Sequence, residues 1–346
     1  MKICFFGIYN PDYSRNRVLI SGFKKNGCEI IECRADPKED GKFFKYFRLF
    51  KEYKKIKKNK FDYVIVAFPG HTVVWLAKLL FRKNLIIFDG FVSLYDSNVS
   101  DRKVYGKFSI RAFKDMFLDW YSCKLSDKVL MDTEEHIEYF TKKYNVNINK
   151  RVKAYVGADS QFFYPDSQDF KNDDKFIVHF HGSYIPLQGV EHIIEATKIL
   201  KDENIEFNII GSAIKNKFEK LNLDNINFIE NVDYKNLRKH ILMSDICLGI
   251  FGKTDKAVRV IPNKVYEAIA CRKPVITGES PAIKELFMDG ENIILCEMGN
   301  PNNLTEKILH LKNNTGLRNK IANNGYNLFI EKLTPEKIVK KIIKII

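Results

Sequence analysis

The chain has 346 residues, 57 Lys plus Arg against 43 Asp plus Glu, and a formal net charge of +14 at pH 7. That length accommodates two ordinary domains, and 45% hydrophobic with 13% aromatic residues excludes a disordered or low-complexity chain. No apolar run reaches the roughly 18 residues of a spanning helix, and the opening Met1-to-Gly7 run is too short for a signal peptide, so a soluble or peripheral cytoplasmic protein is expected.

Short apolar runs bounded by turn residues alternate with helical patterns, as in parallel α/β construction. Strands are predicted at 2–7, 29–34, 63–68, 85–88 and 128–131 in the first half. In the second half they are predicted at 176–181, 206–210, 227–229, 246–250, 274–276 and 293–295, with helices such as 17–26, 190–203 and 263–271 between strands. The polar stretch 164–175 separates the two runs, which predicts two Rossmann-like domains, 1–165 and 166–330, facing across a cleft. Ligands of such sheets sit beyond the carboxyl ends of the strands, so a ligand is expected between the domains.

The loops sharpen this. The first strand runs into Gly7 and a long loop through Asn10-Pro11, unlike the tight Gly-x-Gly-x-x-Gly turn of nicotinamide enzymes, which argues against a dinucleotide there. In the second half, Gly182-Ser183 through Gln188-Gly189 joins a strand end to a helix start, where backbone N–H groups can hold phosphate oxygens.

The basic excess calls for an anionic counterpart, namely nucleic acid, an anionic membrane surface or a phosphorylated substrate, unless the lysines are merely solvated. Residues 41–60 hold nine basic residues against one acidic, with Phe43, Tyr46, Phe47, Phe50, Tyr53 and Ile56 at helical spacing. This predicts an amphipathic helix whose aromatic stripe packs mostly on the sheet and whose lysines can meet an anionic leaflet. A second basic, aromatic stretch covers 102–120. No zinc finger, helix-turn-helix spacing or RNP-type motif accompanies the charge, so no nucleic-acid partner is expected. The seven cysteines form no Cys-x-x-Cys pair and suit reduced core thiols, with no metal expected.

The most informative segment is Pro262-Asn263-Lys264-Val265-Tyr266-Glu267-Ala268, continuing through Lys273-Pro274-Val275-Ile276 to Gly278-Glu279-Ser280-Pro281 and Asp289-Gly290-Glu291-Asn292. With Val156-Gly157-Ala158-Asp159, the Gly182-to-Gly189 loop and Phe207-Asn208-Ile209-Ile210-Gly211 upstream, it resembles retaining GT-B glycosyltransferases, family 4 in particular. The likeness is specific over about 155–300 and pattern-level over 1–150. It implies a GT-B fold in which a C-terminal helix, here 331–346, crosses back to the first domain. It also implies a nucleotide-diphosphate sugar donor held mainly by the second domain, without a separate cofactor or metal. Gly182, Ser183, Gln188, Gly211, Asn263, Lys264, Glu267 and Ser280 are then the donor-site candidates.

Chemistry supports two of these. A Glu on the first turn of a helix can accept both ribose hydroxyls, the part expected of Glu267. Lys264 and the amides of that helix start would face the diphosphate, where charge and dipole both favour an anion. The family pattern is broken elsewhere: Arg259 stands where a sugar-contacting Glu is usual, so either Asp255 supplies the carboxylate or Arg259 contacts phosphate or an acidic sugar. The usual Arg and Lys of the diphosphate clamp fall at Ser183 and Gln188.

In the first half the family's histidine after the fourth strand corresponds to Asp89, which could contact a sugar hydroxyl, serve as base, or merely cap a turn. Asp89 and Arg259 are the catalytic candidates, and Tyr9, Asn10, Arg15 and His71, at strand ends, the acceptor-side ones. The expected function is retaining transfer of a sugar to a hydroxyl of a glycan or lipid-linked acceptor, at the inner membrane face. The alternatives are a nucleotide-sugar epimerase or hydrolase, and a catalytically inactive glycan-binding or partner subunit.

Overall fold

The computed structural model describes residues 1–38, 41, 44–166 and 175–346. Lys42, Phe43 and most of the 164–175 boundary stretch lie outside them. The chain divides into two compact units, Met1–Val156 with Thr334–Ile346, and Gly157–Leu333. The division falls at Val156/Gly157, ahead of the polar stretch. The segment after Gly157 belongs to the second unit because Phe162 and Phe163 pack edge-on against Tyr234, and the Arg238 guanidinium lies over the Tyr164 ring.

The first unit is built on six parallel strands, β1 (Lys2–Ile8), β2 (Glu29–Ala35), β3 (Tyr63–Val66), β4 (Leu85–Asp89), β5 (Lys128–Met131) and β6 (Arg151–Lys153), in the order β2-β1-β3-β4-β5-β6. Alternation decides the faces. Cys4 and Phe6 of β1 join the core beneath the Phe44–Ile56, Val74–Leu80, Ile110–Leu125 and Glu134–Tyr144 helices. Phe5 points the other way, against Phe23 of the Ser14–Lys25 helix. That helix also holds the C-terminal Pro335–Ile345 helix, whose Pro335 carbonyl comes so close to Gly22 that a Cβ there would lie 2.3 Å away. The Ser14–Lys25 helix starts earlier than its apolar pattern predicts because Ser14, Arg15 and Asn16 are buried polar residues.

The second unit repeats the plan with β7 (Phe176–His181), β8 (Ile205–Ile210), β9 (Ile226–Ile229), β10 (Ile246–Leu248), β11 (Val275–Gly278) and β12 (Ile294–Cys296), ordered β12-β11-β10-β7-β8-β9 and all parallel. The chain builds outward from β7 to β9 and then returns to the other side of β7 with β10. The topological switch point is therefore the β7/β10 edge, where ligands of open parallel sheets bind. All seven cysteines are free and buried. Among the described residues no helix is long and apolar enough to cross a membrane.

Candidate active site

The carboxyl end of β7 and the start of the Asn263–Ala270 helix meet at the switch point. Tight backbone packing shapes the floor. Gly211, at φ +154°, leaves no room for a Cβ, which would stand 2.4 Å from the Gly182 carbonyl oxygen. Gly182 in turn lets the Lys264 ammonium approach to 3.0 Å from its own Cβ position.

Around this floor lie charged groups removed from water. Lys264 is 5% and Glu267 4% exposed, although neither forms an ion pair with the other. The Lys264 Nζ donates to Gln188 Oε1 and sits 3.7 Å from the centroid of the Phe180 ring. Glu267 Oε2 is 3.0 Å from His181 Nε2, and His181 Nδ1 is 2.9 Å from His179 Nε2. A carboxylate only accepts, so the network assigns the His181 proton to Nε2 and leaves Nδ1 to accept from His179 Nε2–H. His181 is then neutral. Burial and neighbouring cations agree, holding both imidazoles well below the ordinary histidine value.

Burial likewise holds Lys264 well below the usual lysine range, with Glu267 pulling the other way. It lifts Glu267 from 4.5 to about 7 against the pull of Lys264. Strong perturbation of two opposite groups in one pocket makes this the candidate functional site of the unit.

Of the donor-site candidates, Gly182, Gln188, Gly211, Lys264 and Glu267 converge here, and Asn263 opens the helix that carries the last two. Glu267 occupies the second turn of that helix, not the first as expected, because Asn263 is its first residue. Ser183 is exposed beside Gly182. Ser280 is engaged as the N-cap of the Pro281–Lys284 helix, its hydroxyl accepting from the Ile283 amide at 3.2 Å. Arg259 ends a short turn, Ala257–Arg259, and is half-buried, while Asp255 is exposed. His179 and His181 escaped the sequence reading. Their signal was the His-Phe-His alternation, which puts both rings on one face of a strand.

The first unit corrects several expectations. Asp89 is neither a base nor a turn cap: as the last residue of β4 it is fully buried, and its carboxylate takes three hydrogen bonds from the equally buried Arg15. Arg15 also donates to the carbonyls of Ala154 and Tyr155, so no polar group of the pair is turned to a ligand. Burial raises the Asp89 carboxyl while Arg15 lowers it. A lone buried charge of either sign would cost several kcal/mol, so each explains the other.

Tyr9 is buried with its hydroxyl donating to Glu32 at 2.8 Å, which removes it from the acceptor side. His71 is buried too, Nε2 lying 3.2 Å from Asp119, a carboxylate that also binds Ser93, Tyr144 and two backbone amides. Asn10 alone of these candidates is exposed. Asn16 was overlooked: its amide bridges the carbonyls of Asn10 and Phe68 and fixes the loops after β1 and β3.

Comparison with known proteins shows what this chain is similar to. Residues 165–328 match the model of the glycosyl transferases group 1. An uncharacterized glycosyltransferase of Methanocaldococcus jannaschii is 28% identical over 240 residues, 68% of this chain and 63% of that protein. The poly(ribitol-phosphate) alpha-N-acetylglucosaminyltransferase of Staphylococcus aureus is 22% identical over 290 residues, 78% of this chain and 57% of the relative. The chain thus spans less than two thirds of the length of these curated relatives.

Among solved structures, Anabaena HepE in complex with UDP-glucose superposes with a TM-score of 0.73 at 16% identity, covering 99% of this chain and 98% of the other. Sucrose-phosphate synthase from Thermosynechococcus elongatus gives 0.74 at 12% identity, with 99% and 98% covered. These likenesses establish the fold. The chain has the GT-B fold, and its segment 165–328 is similar to the glycosyl transferases group 1.

Proposed function

We propose that the protein transfers a sugar from a nucleoside diphosphate sugar to a hydroxyl of a glycan or lipid-linked glycan, with retention at the anomeric carbon and without a bound metal. The observation that carries this reading is the pair Lys264 and Glu267, both buried on one helix at the switch point of the second sheet, within the segment that matches the family. Glu267 Oε2 accepts from His181, and Oε1 makes no side-chain hydrogen bond among the described residues. A ribose supplies hydroxyl donors to such a carboxylate. A diphosphate beside Lys264 restores the charge that burial works against, and Lys264 with the helix-start amides then takes over from the uncharged Ser183 and Gln188.

In this reaction the bond from the anomeric carbon to the phosphate oxygen breaks while the acceptor oxygen bonds to the same face. The acceptor proton passes to the departing phosphate, so the chain's own task is positioning and charge stabilisation. The burial of the Asp89 carboxylate fits a mechanism that uses no protein base from β4. Because HepE was crystallised with UDP-glucose, uridine nucleotides are the first donors to try.

The test is release of nucleoside diphosphate from a panel of nucleotide sugars with and without glycan acceptors. Release that requires acceptor supports transfer. Equal release without acceptor assigns the site to hydrolysis, conversion of the nucleotide sugar without net release assigns it to epimerisation, and no release with no nucleotide binding leaves a partner subunit.

A further inference from the structure

We propose that the outer face of one helical layer of the first unit is a docking surface for an anionic lipid bilayer. The inference concerns only that unit and stands apart from the chemistry of the second. The Phe44–Ile56, Val74–Leu80 and Ile110–Leu125 helices share one core beneath them, so their opposite faces belong to one side of the same sheet.

The aromatic stripe of the first helix packs mostly on the sheet, as its spacing predicts, but not entirely: of its described members Tyr46, Tyr53 and Ile56 face the core and Phe47 and Phe50 do not. Tyr46, Leu49, Tyr53 and Ile56 turn inward, whereas Phe44, Phe47 and Phe50 are 71%, 68% and 40% exposed. The third helix repeats the division: Ala112, Asp115, Asp119 and Cys123 are buried, while Ile110, Phe113, Phe117 and Trp120 face out. Trp75 and Leu79 stand exposed on the helix between them. Isolated exposed apolar residues need no account, but a run on three neighbouring helices does.

Charge selects the occupant. All three acidic residues between 101 and 125, Asp101, Asp115 and Asp119, are buried, whereas Lys107, Arg111, Lys114 and Lys124 are exposed. On the first helix Glu52 is held by Lys55, and Arg48, Lys51 and Lys54 are exposed. The ammonium of Lys124 lies 5.0 Å from the Trp120 ring centroid, and that of Lys54 4.7 Å from Phe50. Apolar rings flanked by cations, with acids withdrawn to the interior, match the acyl and headgroup zones of an anionic leaflet.

Both tryptophans of the chain, Trp75 and Trp120, lie on this face, so intrinsic fluorescence reports on it directly. Full-length protein is titrated with phosphatidylglycerol-containing and with pure phosphatidylcholine vesicles at low and high salt, following emission maximum and co-sedimentation. The expected result is a blue shift and binding with anionic vesicles that weaken as salt rises. The triple variant Arg111→Gln, Lys114→Gln, Lys124→Gln loses about a hundredfold in vesicle affinity. A second variant, Phe113→Ser with Phe117→Ser, loses the blue shift while its circular dichroism stays native. Absence of binding at low salt, equal binding to neutral vesicles, or self-association without vesicles that the same variants abolish would each overturn the proposal.

Discussion

Replacing Glu267 by Gln should move stability and ligand affinity in opposite directions. The carboxyl is 4% exposed and its value is lifted from 4.5 to about 7, which corresponds to a penalty on the ionised form of about 3 kcal/mol. Because the folded-state value is raised, the contribution of Glu267 to stability is complete below about pH 4.5 and is lost as pH rises through about 7. Gln keeps an oxygen for the His181 Nε2–H and carries no charge. The variant should therefore match the wild type near pH 4.5 and exceed it by up to about 3 kcal/mol above pH 8. For a unit of roughly 150–250 residues that is on the order of 6–12 °C in Tm.

Nucleotide affinity should fall at the same time, because hydroxyl bonds to a carboxylate are about twice as strong as those to a neutral amide. Two such bonds weakened by about 1 kcal/mol each give a loss of about 30-fold. Scanning calorimetry at pH 5 and pH 8, paired with calorimetric nucleotide titration at pH 8, measures both. A Gln variant that is less stable at pH 8, or that binds nucleotide as well as the wild type, would refute the assignment of Glu267 as a carboxylate kept ionised for a ligand.

Other substitutions separate the parts of the account. Lys264→Met should weaken a nucleoside diphosphate by about 10- to 100-fold and leave the parent nucleoside unaffected; equal losses for both would show that the lysine acts on folding, not on phosphate. Asp89→Asn strands the buried Arg15 charge and should destabilise the first unit by about 3–5 kcal/mol with little change in nucleotide affinity. A variant that folds normally and loses only turnover would instead return Asp89 to catalysis. Gly22→Ala drives a Cβ to 2.3 Å from the Pro335 carbonyl and 2.4 Å from Val339 Cγ2, so proteolysis of the C-terminal helix should accelerate, with a cost of about 1–3 kcal/mol. Unchanged protease resistance would contradict the close approach.

The architecture was legible because parallel strands buried on both faces announce themselves as apolar runs. Eleven of the strands were predicted close to their observed places. Arg151–Lys153 was not, since Val152 is the one apolar residue of a three-residue strand. The candidate site was partly legible through the Pro-Asn-Lys-x-x-Glu spacing, which is local to one helix. What it could not disclose was long-range pairing. Arg15 and Asp89 are 74 residues apart, and each looks, alone, like an exposed functional group. His181 and Glu267, 86 residues apart, likewise become one network only when β7 and the Asn263–Ala270 helix are brought together. The outward members of the aromatic stripe, Phe47 and Phe50, were not legible for a different reason: spacing shows that residues share helical faces, whereas Tyr46 and Phe47, adjacent in sequence, fall on opposite sides of the burial boundary.

Calorimetric titration of the full-length protein with UDP, GDP and other nucleoside diphosphates at pH 8, repeated with Glu267→Gln, tests the proposed nucleotide site directly. Saturable binding of one nucleotide, weakened by the substitution, is the predicted result. No heat of binding for any nucleotide at millimolar concentration would contradict it.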